Sequence, residues 1–413
     1  MLVKPRVRGF MCVTSHPDGC EKHILEQINF IKSKPEINMP KRVLVIGSST
    51  GYGLSARISS AFGANASTIG VIYEKPGTSK KTGSAGWYNT AAFHKFAENE
   101  SLYARTVNGD AFSDQIKDAV VGLIKEDLGQ IDLLIYSVAS PRRKDPESGI
   151  IFNSVLKPIG KSISMLGLNT DKECIQNVEL DPATPEEISD TIKVMGGEDW
   201  CRWVNKLRDE DLLADAFKTT AFTYIGEKIT WDLYWDGTIG AAKKDLDKKV
   251  LSIRDSLKDL NGDARVSVLK AVVTQSSSAI PVMPLYLAIL FKEMKSQGTN
   301  EGCIEQLYRL LVEKIYSDGN NFDVEGRFRV DDYELSPQIQ LNVTKHWKKI
   351  SDENLHSFAD FAEYKNSFMK LFGFEVNGID YSKEVNPERA ISCLLYTSPS
   401  PRDLSTSRMP SSA

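Results

Sequence analysis

The sequence predicts an α/β fold of the Rossmann type: a doubly wound parallel sheet with helices on both faces, an N-terminal extension and large insertions. Three observations predict it. Residues 41–63, KRVLVIGSSTGYGLSARISSAFG, run from strand through glycine turn to helix. Strand-like and helix-like segments then alternate as far as residue 140. The alternation lapses at residue 141 and resumes near residue 215. Strands that alternate with helices need crossover connections, and such units build parallel sheets with right-handed crossovers.

Each element has its own signature. RVLVIG is a short, continuous apolar run rich in β-branched residues, as expected for a strand covered on both faces. The following LSARISSAFG places Leu54, Ile58 and Phe62 at helical spacing. A second strand, STIGVIYE (67–74), ends in an acid, and a third lies in LYARTVNGDAF (102–112) ahead of the helix SDQIKDAVVGLIKEDLG. The fourth, IDLLIYSVAS (131–140), stops at Pro141. Residues 141–215 contain DPESG, LKPIGK and VMGGEDW and read as a large insertion with helices at 185–195 and 200–213. TTAFTYIG (219–226) is a fifth strand, a charged helix spans 240–258, and RVSVLKAVVT (265–274) is a sixth strand. The apolar run AIPVMPLYLAILF (279–291) and a periodic helix over 301–316 follow. The whole is expected to be one domain over 1–390, its core about 41–140 and 215–300. Residues 393–413 turn abruptly to Ser, Pro, Thr and Arg with no periodic apolar face, and read as a non-native disordered tail.

Composition narrows the function. The 413 residues are 41% hydrophobic and 26% charged with a net charge of −4, so no broad basic field supports a nucleic-acid partner. Six cysteines are scattered without a Cys-x-x-Cys pair, and the histidines form no ligand-spaced cluster with them. This predicts a reducing, cytoplasmic setting and no metal. The N-terminus lacks a secretory signal; Lys4, Arg6 and Arg8 with no acid before Asp18 leave organellar import open, against which Pro5 interrupts an amphipathic helix. Residues 279–291, with two prolines, are too short for a bilayer span of ~20 residues, so no membrane anchor is expected.

Gly47, Gly51 and Gly53 form G-x-x-x-G-x-G between strand and helix. A pyrophosphate needs close approach to backbone N–H groups and to the positive end of a helix, and side chains obstruct both. The plainer alternative is a loop that only needs positive φ. Glu74, ending the second strand, can accept hydrogen bonds from the adenosine ribose and would repel a 2′-phosphate, which favours NADH. Lys75, Lys80 and Lys81 soften that preference, so NADPH stays the less favoured cofactor. Asp110 is placed to meet the adenine edge, and Val138–Ala139 to pass the nicotinamide ribose.

The stretch TYIGEKITWDLYWDGTIGAAKK (223–244) carries Tyr224, Tyr234 and Lys243 directly after the fifth strand. A phenol with an ordinary pKa of about 10 is a sluggish acid until a neighbouring cation tunes it. Lys243, on the following helix, is expected to hold the ribose hydroxyls and lower the phenol pKa. Lys244 points about 100° away from it and is expected in a supporting or solvated position.

In order and spacing, VIGSSTGYG, IYEKPG, GWYN, NGDAFSD, YSVASP, VMGGEDW, TYIGEKITWDLYWDGTIGAAKKDL and SSAIPVMPLYLA resemble the trans-2-enoyl-CoA and enoyl-ACP reductases of the FabV type, within the short-chain dehydrogenase superfamily. The resemblance covers essentially residues 1–390. It implies NADH-dependent reduction of the C2–C3 double bond of trans-2-enoyl thioesters in fatty acid synthesis, by a monomer acting on enoyl-CoA or enoyl-acyl carrier protein. It makes Tyr234 the proton donor, Lys243 the cofactor-binding lysine and Tyr224 a contact of the acyl thioester. It assigns Gly47, Ser48, Ser49, Thr50, Gly51 and Tyr52 to the pyrophosphate side of the cofactor. Tyr73, Glu74, Asp110, Ala111, Val138, Ala139, Val272, Val273 and Thr274 complete that site, and 279–291 becomes the acyl-pocket segment. Two rival readings are a carbonyl-reducing short-chain dehydrogenase and a non-catalytic dinucleotide sensor. The first class usually has a serine before the tyrosine at the fifth strand and a shorter Tyr–Lys spacing than the eight intervening residues here, whereas the superfamily's usual enoyl reductases have six. The second typically lacks the pair.

Overall fold

In the computed structural model, whose described residues are 1–317, 319 and 321–396, eight strands form one sheet. They are β1 (Arg42–Ile46), β2 (Ser67–Ile72), β3 (Ala104–Asn108), β4 (Ile131–Tyr136), β5 (Leu213–Thr223), β6 (Asp263–Val268), β7 (Phe328–Arg329) and β8 (Leu394–Tyr396). Their spatial order is β8-β3-β2-β1-β4-β5-β6-β7, and every pair is parallel. β1 is central, with Val43 opposite Thr68 on one side and Leu133 on the other. The chain winds outward in both directions from the β1/β4 boundary, and ligands of open α/β sheets bind at the carboxyl ends of strands beside such a reversal.

Alternate residues of β1 face opposite layers, as the pleat requires. Leu44 and Ile46 join Ile69, Trp200, Phe217 and Leu246 in one core. Val43 and Val45 join Leu133, Ile135, Leu307 and Leu310 in another. The helices that matter for the site are α1 (Pro17–Lys32), α2 (Gly51–Ile58), α3 (Ala85–Asn99), α4 (Asp114–Asp127), α5 (Pro185–Met195), α6 (Glu198–Asp209), α7 (Thr238–Ser256), α8 (Met283–Ser296) and α9 (Cys303–Arg309). Every residue from Met283 to Phe291 is buried, so α8 is a central helix enclosed on all sides, the arrangement an all-round apolar helix requires.

Several boundaries differ from the sequence expectation. β5 starts at Leu213 and stops at Thr223, leaving Tyr224–Gly226 in the loop that leaves the sheet. β6 stops at Val268, because the chain then turns across the top of the sheet. The insertion holds two hairpins, Arg142–Lys144 with Ile151–Asn153 and Ile163–Asn169 with Cys174–Leu180. Their largely exposed or half-buried residues carry little hydrophobic alternation. The helix expected over 301–316 ends as α9 at Arg309 and continues as a wider turn through Ile315.

Part of the stretch read as a disordered tail is ordered. Leu394–Tyr396 pair with Thr106–Asn108, closing the otherwise open edge of β3. The remainder of that stretch, 397–413, lies outside the described residues. Just before it the C-terminal segment is clamped by α3: Trp87 Nε1 donates to the Arg389 carbonyl at 2.8 Å and the Tyr88 hydroxyl to the Pro387 carbonyl at 2.7 Å.

Candidate active site

The turn after β1 is built from backbone packed on backbone. Gly47 sits at φ +83°, and a Cβ there would lie 2.0 Å from the Ser137 carbonyl oxygen at the end of β4. A Cβ on Gly53 would lie 2.0 Å from the Gly47 oxygen. Gly51, at φ +54°, opens α2. Thr50 precedes α2 without a side-chain cap, which leaves the first helical N–H groups to an incoming anion. The buried Ser48 and Ser49 complete the loop, and Asn89 of α3 donates to the Ser49 carbonyl at 3.2 Å. A turn with no room for side chains and an uncapped helix start suit a dinucleotide diphosphate.

Glu74 is held at the neighbouring strand end. Its backbone exchanges two hydrogen bonds with the Asn108 side chain, at 2.9 and 3.0 Å, and its carboxylate accepts from Ser49 Oγ at 2.7 Å. Burial pushes its pKa up, opposed by the Ser84 and Ser49 hydroxyls. Gly86 is the reason the carboxylate fits, since a Cβ there would be 2.1 Å from Glu74 Oε1. Tyr73 projects into solvent at 74% exposure, on the rim. Asp110 accepts from the Phe112 N–H at 3.0 Å and so folds its own loop.

Beneath that loop, the buried Lys117 of α4 donates to the Ala111 and Phe112 carbonyls at 2.9 and 3.1 Å and pairs with Asp199 at 2.8 Å. Asp199, in the first turn of α6, also accepts from the Tyr136 hydroxyl at 3.0 Å. Burial lowers the Lys117 pKa while Asp199 opposes the shift. Sequence reasoning assigned no role to Gly86, Asn89, Asn108, Lys117 or Asp199. Four of the five lie within GWYN, NGDAFSD and VMGGEDW, the motifs that carried the resemblance, while Lys117 carries no local signal.

The end of β5 joins the loop to the tyrosines. The Phe222 ring meets Tyr52 edge-on, with centroids 6.1 Å apart, and Tyr52 donates to the Lys270 carbonyl at 2.8 Å. The Phe222 carbonyl accepts from Lys243 Nζ at 3.3 Å. Two residues later the Tyr224 ring meets Tyr234 edge-on at 5.1 Å. A Cβ on Gly226, at φ +70°, would lie 2.3 Å from the Tyr224 hydroxyl, so this glycine makes room for that ring. Lys243 and Tyr234 are both buried. Burial lowers the Lys243 pKa to about 8, with Asp247 one turn along opposing it. Lys244 lies outward, donating to the Trp235 carbonyl at 2.9 Å.

The expected lowering of the Tyr234 pKa by Lys243 is not what the geometry gives. Burial pushes the Tyr234 pKa up, and the lysine is engaged by the Phe222 carbonyl instead. Tyr224 is also more constrained than expected: its hydroxyl donates to Glu334 Oε1 at 3.0 Å.

A cavity of about 400 Å³ opens beside the loop, lined among others by Thr50, Gly51, Val272, Val273, Thr274 and Phe291. It reaches Phe291, the last residue of the apolar 279–291 run; Met283–Leu290 are buried in α8, while Ala279–Pro281 lie before it, exposed or half-buried. Tyr224, Tyr234 and Lys243 do not line it. Thr274 caps the short helix Gln275–Ser278 through its side chain. Val138 and Ala139 follow β4 beside the Gly47 turn.

Three family models match the chain. One is described as the NAD(P)H binding domain of trans-2-enoyl-CoA reductase (residues 2–79), one as the trans-2-enoyl-CoA reductase catalytic region (81–316) and one as an enoyl reductase FAD binding domain (322–385). An enoyl-(acyl-carrier-protein) reductase (NADH) of Pseudomonas aeruginosa is 59% identical over 396 residues, covering 96% of this chain and 100% of that protein. One of Burkholderia cenocepacia is 58% identical over 398 residues, with the same coverage. The crystal structure of Clostridium acetobutulicum trans-2-enoyl-CoA reductase with NADH superposes with a TM-score of 0.92 at 42% identity, covering 95% of this chain and 100% of that one. That of the Treponema denticola enzyme with NAD gives 0.90 at 44%, covering 94% and 98%. The segment described as FAD-binding folds here as the edge strand β7 and helices that include Pro337–Trp347 and Phe361–Lys370, and it supplies Glu334 to the tyrosines.

Proposed function

The chain belongs to the trans-2-enoyl-CoA reductase family, and from that premise we propose how its residues divide the work. The protein is an oxidoreductase that reduces the C2–C3 double bond of trans-2-enoyl thioesters with NADH, giving the saturated acyl thioester in fatty acid synthesis. When bound, NADH supplies the hydride that adds at C3. The loop Gly47–Tyr52 takes the diphosphate on backbone N–H groups, Glu74 the adenosine ribose, the Asp110–Ala111 loop the adenine edge, and Lys243 the nicotinamide ribose. Val138–Ala139 and Val272–Thr274 flank that end.

Tyr234 gives the proton and hydrogen-bonds the thioester oxygen as negative charge collects there. Its raised pKa keeps the phenol protonated at neutral pH, so the group always has a proton to offer. A donor fixed in place toward a developing oxyanion is typically worth a few kcal/mol of barrier. Tyr224 contacts the thioester beside it. The observation that carries this division is the end of β5, where Phe222 touches the loop through Tyr52 and the ammonium of Lys243, and Tyr224, two residues on, meets the ring of Tyr234.

The carrier is CoA or acyl carrier protein, and the working unit is a monomer. Among the described residues no helix is long and apolar enough to cross a membrane. The test is direct: purified protein is mixed with NADH and crotonyl-CoA, then with NADH and acetoacetyl-CoA, and NADH consumption is followed. Turnover with the enoyl thioester alone is expected. Consumption restricted to the ketone would replace this reading with carbonyl reduction.

A further inference from the structure

Glu334 lies far from every motif read in the sequence, yet its carboxylate is the meeting point of the tyrosine site. It is fully buried. Oε1 accepts from the Tyr224 hydroxyl at 3.0 Å and from the Tyr286 hydroxyl at 2.7 Å, while Oε2 accepts from the Ala271 N–H at 2.6 Å. Gln340 Nε2 donates to the Tyr286 oxygen at 3.1 Å and to the Glu334 carbonyl at 2.7 Å. With Glu334 ionised, the direction of each bond is set. An amide N–H at Ala271 can only give, and Tyr286, which receives from Gln340, gives its own proton to the carboxylate. Tyr224 gives the third. Burial pushes the Glu334 pKa up, and the shift is opposed by the ammonium of the buried Lys270, itself held by the Ala271 and Glu301 carbonyls, by the Ala271 N–H and by the Tyr286 hydroxyl.

We infer that Glu334 is a positioning residue for enoyl reduction: by taking the Tyr224 proton it commits that phenol to accepting on its other side. Of the two phenols in edge contact, Tyr234 is then the one with a proton to give. This explains why a buried and a half-buried tyrosine side by side do not compete for the same thioester oxygen. The inference rests on the assignment of Tyr234 as proton donor. It adds a reason for that assignment from a residue 110 positions beyond Tyr224 in the chain.

Glu334→Gln separates positioning from simple packing. An amide accepts at one end only. Because the Ala271 N–H cannot turn, the amide oxygen stays there and the amide NH₂ faces the tyrosines. Tyr224 must then receive from it and swing its own proton into the site. The expected result is a fall in kcat of about tenfold or more with crotonyl-CoA and an unchanged KM for NADH. In a Tyr224→Phe background, where no hydroxyl is left to reorient, Glu334→Gln should cost less than about twofold beyond Tyr224→Phe alone. Equal losses in both backgrounds, or wild-type kcat for the single variant, would overturn the inference. If Glu334→Gln does not yield folded protein by NADH titration, Glu334→Asp is read in the same cycle, since its shorter carboxylate cannot reach all three donors. A loss confined to the wild-type background supports positioning, and an equal loss in both refutes it. The outcomes stay distinct from failure of the functional reading, which would show as no crotonyl-CoA turnover by the unaltered enzyme.

Discussion

The glycine turn after β1 and the tyrosine pair after β5 lie at the same ends of the same sheet and are made in opposite ways. The turn is backbone against backbone: Gly47 against Ser137, Gly53 against Gly47. Its contacts within the loop are short in sequence, and its requirement is the absence of side chains. The tyrosine pair is side chain against side chain, and its partners are distant: Glu334 lies 110 residues from Tyr224, 63 from Ala271 and 48 from Tyr286. A backbone site advertises itself through glycines. A side-chain site depends on residues that only folding brings together.

Four substitutions probe this contrast, and the largest effect belongs to the side-chain site. Tyr234→Phe should lower kcat with crotonyl-CoA by about 10²–10³-fold, while NADH affinity by fluorescence titration stays near wild type. Parallel loss of NADH affinity would mean the phenol supports the cofactor site rather than the chemistry. Next comes the turn: Gly53→Ala forces a methyl onto the Gly47 carbonyl, so NADH affinity should fall about tenfold or more and stability by about 1–3 kcal/mol in urea unfolding. Here kcat at saturating NADH should change less than KM. If Gly53→Ala instead reproduced the kcat loss of Tyr234→Phe, the two regions would not be separable.

The third test uses the residue between them. Burial sets the Lys243 pKa at about 8 in the free protein, below its ordinary value, so its ammonium loses its proton as pH rises through that point. NADH affinity, which uses the charged form, should weaken from pH 8 toward pH 10 in calorimetric titrations, and Lys243→Met should be weak and flat across the range. An unchanged pH dependence in Lys243→Met would assign the titration elsewhere. The smallest effect is expected of Lys244→Met. That outward side chain holds the Trp235 carbonyl, lies over the Trp235 ring and makes a loose contact with Asp236, all away from the site, so steady-state rates should move by less than about twofold.

The same contrast explains how much was legible in the sequence. The strand–turn–helix at 41–63, the parallel order and the acid just after the second strand follow from local pattern. The hairpins of the insertion did not, because half-exposed strands carry weak alternation. Nor did the support beneath the loop after β3, where Lys117 of α4 meets Asp199 of α6 across 82 residues. The predicted tuning of Tyr234 by Lys243 rested on spacing, and spacing says nothing about burial, which dominates both groups. Leu394–Tyr396 were misread because an abrupt change in composition hid three residues that suit a sheet edge.

The clamp between α3 and the C-terminal segment has a consequence for biogenesis. Gly86 and Asn89, which shape the Glu74 pocket and steady Ser49, ride on the helix whose Trp87 and Tyr88 grip Arg389 and Pro387. On the ribosome the glycine turn emerges long before Pro387 and Arg389, so the grip that seats α3 forms only after the whole sheet core has been made.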